Sequence, residues 1–394
     1  MATILFAWEL GAGYGHLNGF TPLARKLQEN GHRVYCVLKD LSLAYKLLTD
    51  NEIEYFQAPL WNESTNTSSS TYAEILLELG YRDTDQLTTR IQAWRQLYQL
   101  LQPDLLIADH APTALLASRS FDFATCLYGS GFFSPPREHP VPAFASWADI
   151  STQQVGQIEK QAVECINHSL HTLAIPPIQH LADIFDVGED FLATVEELDH
   201  YPQRLNSHYW GLRYNLDAGD TVSWPDIYTA KIFVYLHSNF IETEKLLQSL
   251  LVTEADVILH VHNMSDTLIR KYSAKHIRFC KQPVNVNNIS ATCDLAICHA
   301  GLGTVSGMLL HGVPLLLLPT QAEQLITAMR VQELEAGEYI TPSDPSRNYR
   351  KSIKRLLNSP SYKQQAGLFA EKYRDFDESQ QKTDIADRCE ALIK

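Results

Sequence analysis

Twice along this chain a short apolar run ends in a cluster of glycines and passes directly into a helical spacing pattern. Residues 4–8 lead into Gly11-Ala12-Gly13-Tyr14-Gly15-His16, after which Leu17, Phe20, Leu23, Ala24 and Leu27 recur at intervals of three and four. Residues 295–298 lead into His299-Ala300-Gly301-Leu302-Gly303-Thr304, followed by a helix predicted over 305–310. Each unit then returns through a buried-type strand, at 34–38 and at 314–318. Strand, turn, helix and strand in that order build a parallel sheet, so the chain reads as α/β. Further strands are predicted at 105–108, 124–128, 232–236 and 257–261, with a helix over 242–251. Gly, Asp and Pro accumulate over 211–225, where we place the linker. The 394 residues suffice for two cores. The domains expected are 1–215, 216–365 and a polar helical tail, 366–394, packing back on the first domain. Ligands of open α/β sheets bind beyond the strands' carboxyl ends, so both glycine turns are placed to line a cleft between two facing sheets.

Bulk properties exclude several functions. A formal charge of −14 argues against a nucleic-acid partner, because phosphate binding needs a basic surface. No run approaches the roughly 18 apolar residues of a membrane span, so no integral membrane association is expected. Residues 4–8 are too short for a signal-peptide core and lack a basic flank. The expected location is the cytoplasm. Seven cysteines without a CxxC pair fit a reducing compartment, and Cys293 and Cys298 read as core thiols of one strand. No Asp/His set clusters with metal-ligand spacing, so no metal is expected. Residues 62–71 and 129–142 read as long loops. Nothing in the sequence reports oligomeric state.

The first turn admits more than one reading. It is a dinucleotide fingerprint with Asp40 as the ribose acid, although His16 replaces the third glycine. Alternatively His16 is functional, since a helix N-terminus disfavours imidazolium and a neutral imidazole is a competent base. As a third option, His16 merely packs at the turn. The second turn offers free backbone N–H groups and a helix dipole to a phosphate.

From His299 to Gln324 the sequence resembles the donor-binding signature of the UDP-glycosyltransferase superfamily: His-x-Gly-x-Gly-Thr, then Gly312-Val313-Pro314, then Pro319 leading to Glu323-Gln324. Looser likeness runs through Gly15-His16, Pro22-Leu23-Ala24 and Gly31-His32-Arg33-Val34. It continues through Pro103-Asp104 to Asp109, Phe191 to Asp199, and Tyr209-Trp210-Gly211. The bacterial macrolide and rhamnosyl-type enzymes are the nearest kind.

This resemblance implies a GT-B fold, two Rossmann-like domains around a cleft, and inverting, metal-independent sugar transfer from a nucleotide sugar (UDP or dTDP) to a small acceptor's hydroxyl. No cofactor is implied beyond that co-substrate. His16 would be the base and Asp109 its partner, with adjacent His110 as the alternative. Gly13, Gly15, Ser238, Val286, His299, Gly301, Gly303 and Thr304 would hold the donor, and Glu323 and Gln324 its sugar. Phe132 and Phe133 would offer apolar surface to a lipophilic or aromatic acceptor. The sequence also departs from the family pattern. Gly307 replaces a ribose-binding Glu, leaving that contact to Ser306 or a water. His237 replaces a glycine before Ser238, and Val284-Asn285-Val286 lacks the usual base-binding glutamine. Ala300, where Gly or Cys is common, reads as harmless. Two alternatives follow: a non-catalytic nucleotide- or glycoside-binding paralogue, and a nicotinamide-dependent oxidoreductase.

Overall fold

The computed structural model describes the chain apart from residues 12–14, 43, 62–68, 214–218, 238–239, 346 and 394, and apart from the side chains of Lys46 and Asp50. Gly13, Ser238 and most of the 62–71 loop therefore lie outside the described residues.

The chain forms two compact units, Met1–Arg213 with Asp377–Lys394, and Tyr214–Phe376. The first holds β1 (Thr3–Trp8), β2 (Arg33–Leu38), β3 (Glu54–Gln57), β4 (Leu105–Asp109), β5 (Ala124–Gly129) and β6 (Glu189–Leu192) in the order β3-β2-β1-β4-β5-β6. All five pairings are parallel. Both faces are covered, as the period-two alternation requires. Leu5, Ala7, Leu106 and Ala108 enter one core, while Ile4, Phe6, Trp8, Leu105 and Ile107 enter the other. The helix Gly15–Glu29 buries Leu17, Phe20, Leu23, Ala24 and Leu27 against the second core. It ends where Gly31 takes φ 88°, a conformation glycine adopts without a Cβ penalty.

The second unit holds β7 (Lys231–His237), β8 (Asp256–His262), β9 (Ile277–Cys280), β10 (Leu295–Cys298), β11 (Leu315–Leu317) and β12 (Gly337–Tyr339) in the order β12-β11-β10-β7-β8-β9. Again every pairing is parallel. Both sheets thus share one topology, with the order reversing between β1 and β4 and between β7 and β10.

Strands β3, β6, β9 and β12 are absent from the sequence reading. They are edge strands of three or four residues, too short for alternation to register. The tail is two helices: Pro360–Lys372 stays with the second unit, and Glu378–Leu392 belongs to the first. There Ile385, Ala386 and Cys389 join the core of Phe20 and Leu27, and Glu390 accepts from Asn30 Nδ2 at 2.6 Å. Cys293 is corrected: it precedes β10 rather than lying in it, and its Sγ donates to Leu295 O at 3.2 Å. Among the described residues no helix is long and apolar enough to cross a membrane.

Candidate functional site

In such sheets the ligand crevice lies where the strand order reverses, at the strands' carboxyl ends. In the first unit that point falls between Trp8 and Asp109, which pair in register at the ends of β1 and β4. His16, on the opening turn of the following helix, reaches the same point. Its Nδ1 stands 3.1 Å from Asp109 Oδ1, and both residues are buried. The approach falls short of an aligned hydrogen bond to Oδ1, and no other group among the described residues bonds that oxygen. With Asp109 ionised, a proton on Nδ1 is favoured and Nε2 is left as the acceptor. Nε2 faces Gly11: a Cβ on that glycine, which has φ 82°, would lie 2.8 Å from it. Trp8 stacks on the imidazole at 4.9 Å and Phe133 flanks it at 4.8 Å.

Arg213 is the residue that sequence reasoning missed. Its Nη1 donates to Asp109 Oδ2 at 2.8 Å and to Tyr128 O at 3.1 Å, and its Nη2 donates to the backbone carbonyl of His16. The guanidinium lies 4.4 Å from the Tyr128 ring centroid. Burial alone would raise the Asp109 pKa. The Arg213 cation and then His16 outweigh it and hold the carboxyl at about 2. Asp109 is therefore a fixed anion that gives one oxygen to the arginine and one to the imidazole. Gly19 makes this possible, because a Cβ there would collide with the Arg213 side chain.

His110 is not the partner of His16. It is buried, adopts φ 48°, and stacks on Phe133 at 4.5 Å. Neither ring nitrogen has a hydrogen-bond partner among the described residues, and burial drives its pKa well below the ordinary value. The expectation for Phe132 and Phe133 needs amending. They are 6% and 9% exposed, so they are packing elements around the two histidines rather than an open wall. Tyr72 Oη and Ser130 Oγ are also buried without partners among the described residues.

In the second unit the reversal lies between β7 and β10. Ala300 takes φ 63°, Gly301 caps the helix Leu302–Leu310, and no side chain caps its first turn. The first-turn amides of Leu302, Gly303 and Thr304 have no intrahelical acceptor, and a Cβ on Gly301 would meet nothing within 4 Å among the described residues. Ala300 is not harmless, since an L-residue there carries left-handed strain. His299 also differs from expectation. Its Nδ1 lies 2.8 Å from Leu318 O, and its Nε2 accepts from the His237 amide at 3.0 Å. Both nitrogens are spent on backbone, and burial lowers the pKa. The ring positions the turn rather than offering a donor to phosphate. Ser306 is corrected as a ribose contact: it is fully buried, and its Oγ has no partner among the described residues.

Gln324 Oε1 accepts from the Thr320 amide and hydroxyl at 2.9 and 3.0 Å, and Glu323 lies in the first helical turn beside it. A cavity of about 380 Å³ adjoins this segment, lined by Phe240, Ile241, Pro319, Thr320 and Leu325 among others. Val286 heads the short helix Val286–Ser290, capped by Asn285. Asp40 is exposed and accepts from the Ser42 amide. Gly15 begins its helix with open space around it. The expectation that no ligand set clusters is also corrected, since His139, Glu159 and His180 converge.

Two doubly wound units of this topology are the architecture of glycosyltransferases of the GT-B fold, and the chain matches solved members of that fold over its whole length. The chain superposes on the glycotransferase of kitacinnamycin with a TM-score of 0.72 at 16% identity, covering 100% of this chain and 99% of that one. It superposes on glycosyltransferase VinC, solved with dTDP, at 0.70 and 15%, covering 98% and 99%. Residues 244–392 match the C-terminal domain of the erythromycin biosynthesis protein CIII-like family. Demethyllactenocin mycarosyltransferase of Streptomyces fradiae is 33% identical over 61 residues, 16% of this chain and 13% of that relative. The resemblance read from the sequence is matched on both counts: the chain has the fold of these glycosyltransferases, and residues 244–392, which run from the second unit into the closing helix of the first, match the CIII-like C-terminal domain.

Proposed function

We propose that the protein transfers a sugar from a nucleoside diphosphate to a hydroxyl of a small natural-product acceptor, with inversion and without a catalytic metal. The observation that carries this is the His16–Asp109 contact at 3.1 Å, with Nε2 turned to the glycine side. Nε2 takes the acceptor's proton as the oxygen attacks C1, and the buried carboxylate stabilises the imidazolium that forms. The departing diphosphate is met by the open amides of residues 302–304 and by the helix dipole. Attack opposite that group inverts C1. Glu323 and the amide of Gln324 bind sugar hydroxyls, and the largely apolar cavity beside them suits a sugar with few hydroxyls. Val286 contributes to the nucleoside site. A thymidine or uridine nucleotide is the donor class, with the dTDP-bound relative supporting the former. The acceptor is lipophilic or aromatic and meets the buried polar groups of His110, Tyr72 and Ser130.

The test pairs the purified protein with dTDP- and UDP-sugars and a panel of alcohols and phenols, read by mass spectrometry. A sugar-mass adduct formed by the native protein and reduced about 10²–10⁴-fold in His16→Ala is the expected result. Unchanged turnover in that variant sinks the assignment. Gly307, which lacks the family's ribose carboxylate, favours one other reading: a binder without turnover. A dTDP-induced rise in melting temperature with no adduct on any acceptor is its signature.

A further inference from the structure

His139, Glu159 and His180 are separated by 20 and 21 residues in sequence, yet their ligand atoms all lie within 4.8 Å of one another. They come from three separate segments: the loop after β5, the middle of the helix Thr152–Thr172, and the residue preceding the short helical turn Leu181–Phe185. Glu159 is 5% exposed. Its Oε2 accepts from the Val141 amide at 2.7 Å and its Oε1 from the Leu181 amide at 3.4 Å. Each oxygen keeps a lone pair beyond those bonds, and the bonds fix the carboxylate's orientation, as outer-shell contacts do for metal ligands. The two imidazoles are exposed and stack at 3.8 Å with planes 24° apart, so they approach Glu159 together. The mechanism proposed above uses none of the three.

We propose that His139, Glu159 and His180 bind a late first-row divalent ion such as zinc, which clips the 129–142 segment to the helix Thr152–Thr172. Two imidazoles and one carboxylate are an established zinc set that leaves a fourth position for water. Imidazole also favours zinc, copper or nickel over magnesium or calcium. Bonds of about 2.0–2.1 Å in a tetrahedron put donor atoms about 3.4 Å apart, so closure draws the present atoms in by up to about 1.4 Å. Rotation of the two exposed side chains supplies that movement, and the held carboxylate does not have to move. The ion would be structural: it pins the loop that carries Phe132 and Phe133.

The test uses tag-free full-length protein, stripped with chelator and titrated calorimetrically with Zn²⁺, with Co²⁺ visible spectra reporting coordination. One ion per chain is expected, with tetrahedral cobalt bands. His139→Ala and His180→Ala each weaken binding at least about tenfold. The double variant loses the cobalt bands and the zinc-induced rise in melting temperature. Both positions are exposed, and circular dichroism establishes that the variants are folded. Zinc uptake equal in native protein and double variant overturns the proposal, as does no uptake by the native protein. Glycosyl transfer is not needed for any of these readouts.

Discussion

Replacing Asp109 with Asn removes the anion that His16 and Arg213 share, and the structure sets the size of the effect. The carboxyl is fully buried, 2.8 Å from Arg213 and 3.1 Å from His16. It titrates at about 2 where an ordinary aspartate titrates at 3.8: desolvation opposes the shift, and the Arg213 cation, then His16, overcome it. At about 1.4 kcal/mol per pH unit, that gap is worth ~2 kcal/mol of folding stability. The folded-state value is the lower one, so this stabilisation is present above about pH 4 and is lost as pH falls through about 2. Asn carries no charge, and Arg213, itself 8% exposed, is left without a counter-ion. Breaking such a buried pair costs about 3–5 kcal/mol. In urea denaturation at pH 7, Asp109→Asn should lose that amount. The gap to native protein should narrow by more than ~1 kcal/mol by about pH 2.5, because only the native protein has a carboxyl at 109 that takes up a proton on unfolding at that pH. Asp109→Asn with Arg213→Met removes both charges and should recover part of the loss, with a coupling of about 1–3 kcal/mol. A gap that does not change with pH, or a double variant whose losses simply add, would refute the reasoning.

Three further substitutions probe separate contacts. Ala300→Gly relieves the left-handed strain at φ 63° and should raise stability by about 0.5–1 kcal/mol in urea; a loss there counts against the strain. Gly19→Ala would ordinarily gain up to about 1 kcal/mol inside a helix. Here the added Cβ strikes Arg213, so a net loss is expected, and a gain would show that the arginine is not held as described. Glu323→Ala should raise the donor KM severalfold with less effect on acceptor KM, measured by initial rates; an effect confined to the acceptor would misplace the sugar site.

The central strands of both sheets were readable because they are apolar on both faces. Residues 4–8, 105–108, 232–236 and 257–261 all fall within observed strands. The glycine turns announced the order strand, turn, helix. The edge strands were not readable: β3 and β12 have only four and three residues, and β3 is half solvated. His16 was nominated by its place at a helix N-terminus, but its pairing with Asp109 came only through the family pattern, since 93 residues separate them. Arg213 had no signal at all. It lies 104 residues from Asp109 and 197 from His16, and no local period marks an arginine that threads past a helical glycine.

Ala300 and His299 show a different reason for failure. Spacing identifies a strand, a glycine turn and a helix, but it cannot say which atoms of the turn stay available. In the first unit the imidazole of His16 has Nδ1 toward Asp109 and Nε2 beside Gly11, the arrangement on which the proposed base rests. In the second unit both imidazole nitrogens are tied to the His237 amide and the Leu318 carbonyl, and the uncapped helix amides are what remains. On the proposed reading, the same local architecture presents a proton acceptor in one sheet and a set of hydrogen-bond donors in the other. A transfer reaction needs one of each: an acceptor for the incoming hydroxyl's proton and donors for the leaving diphosphate. The difference is set by backbone groups 19 and 62 residues away from His299, contacts that only the folded chain brings together.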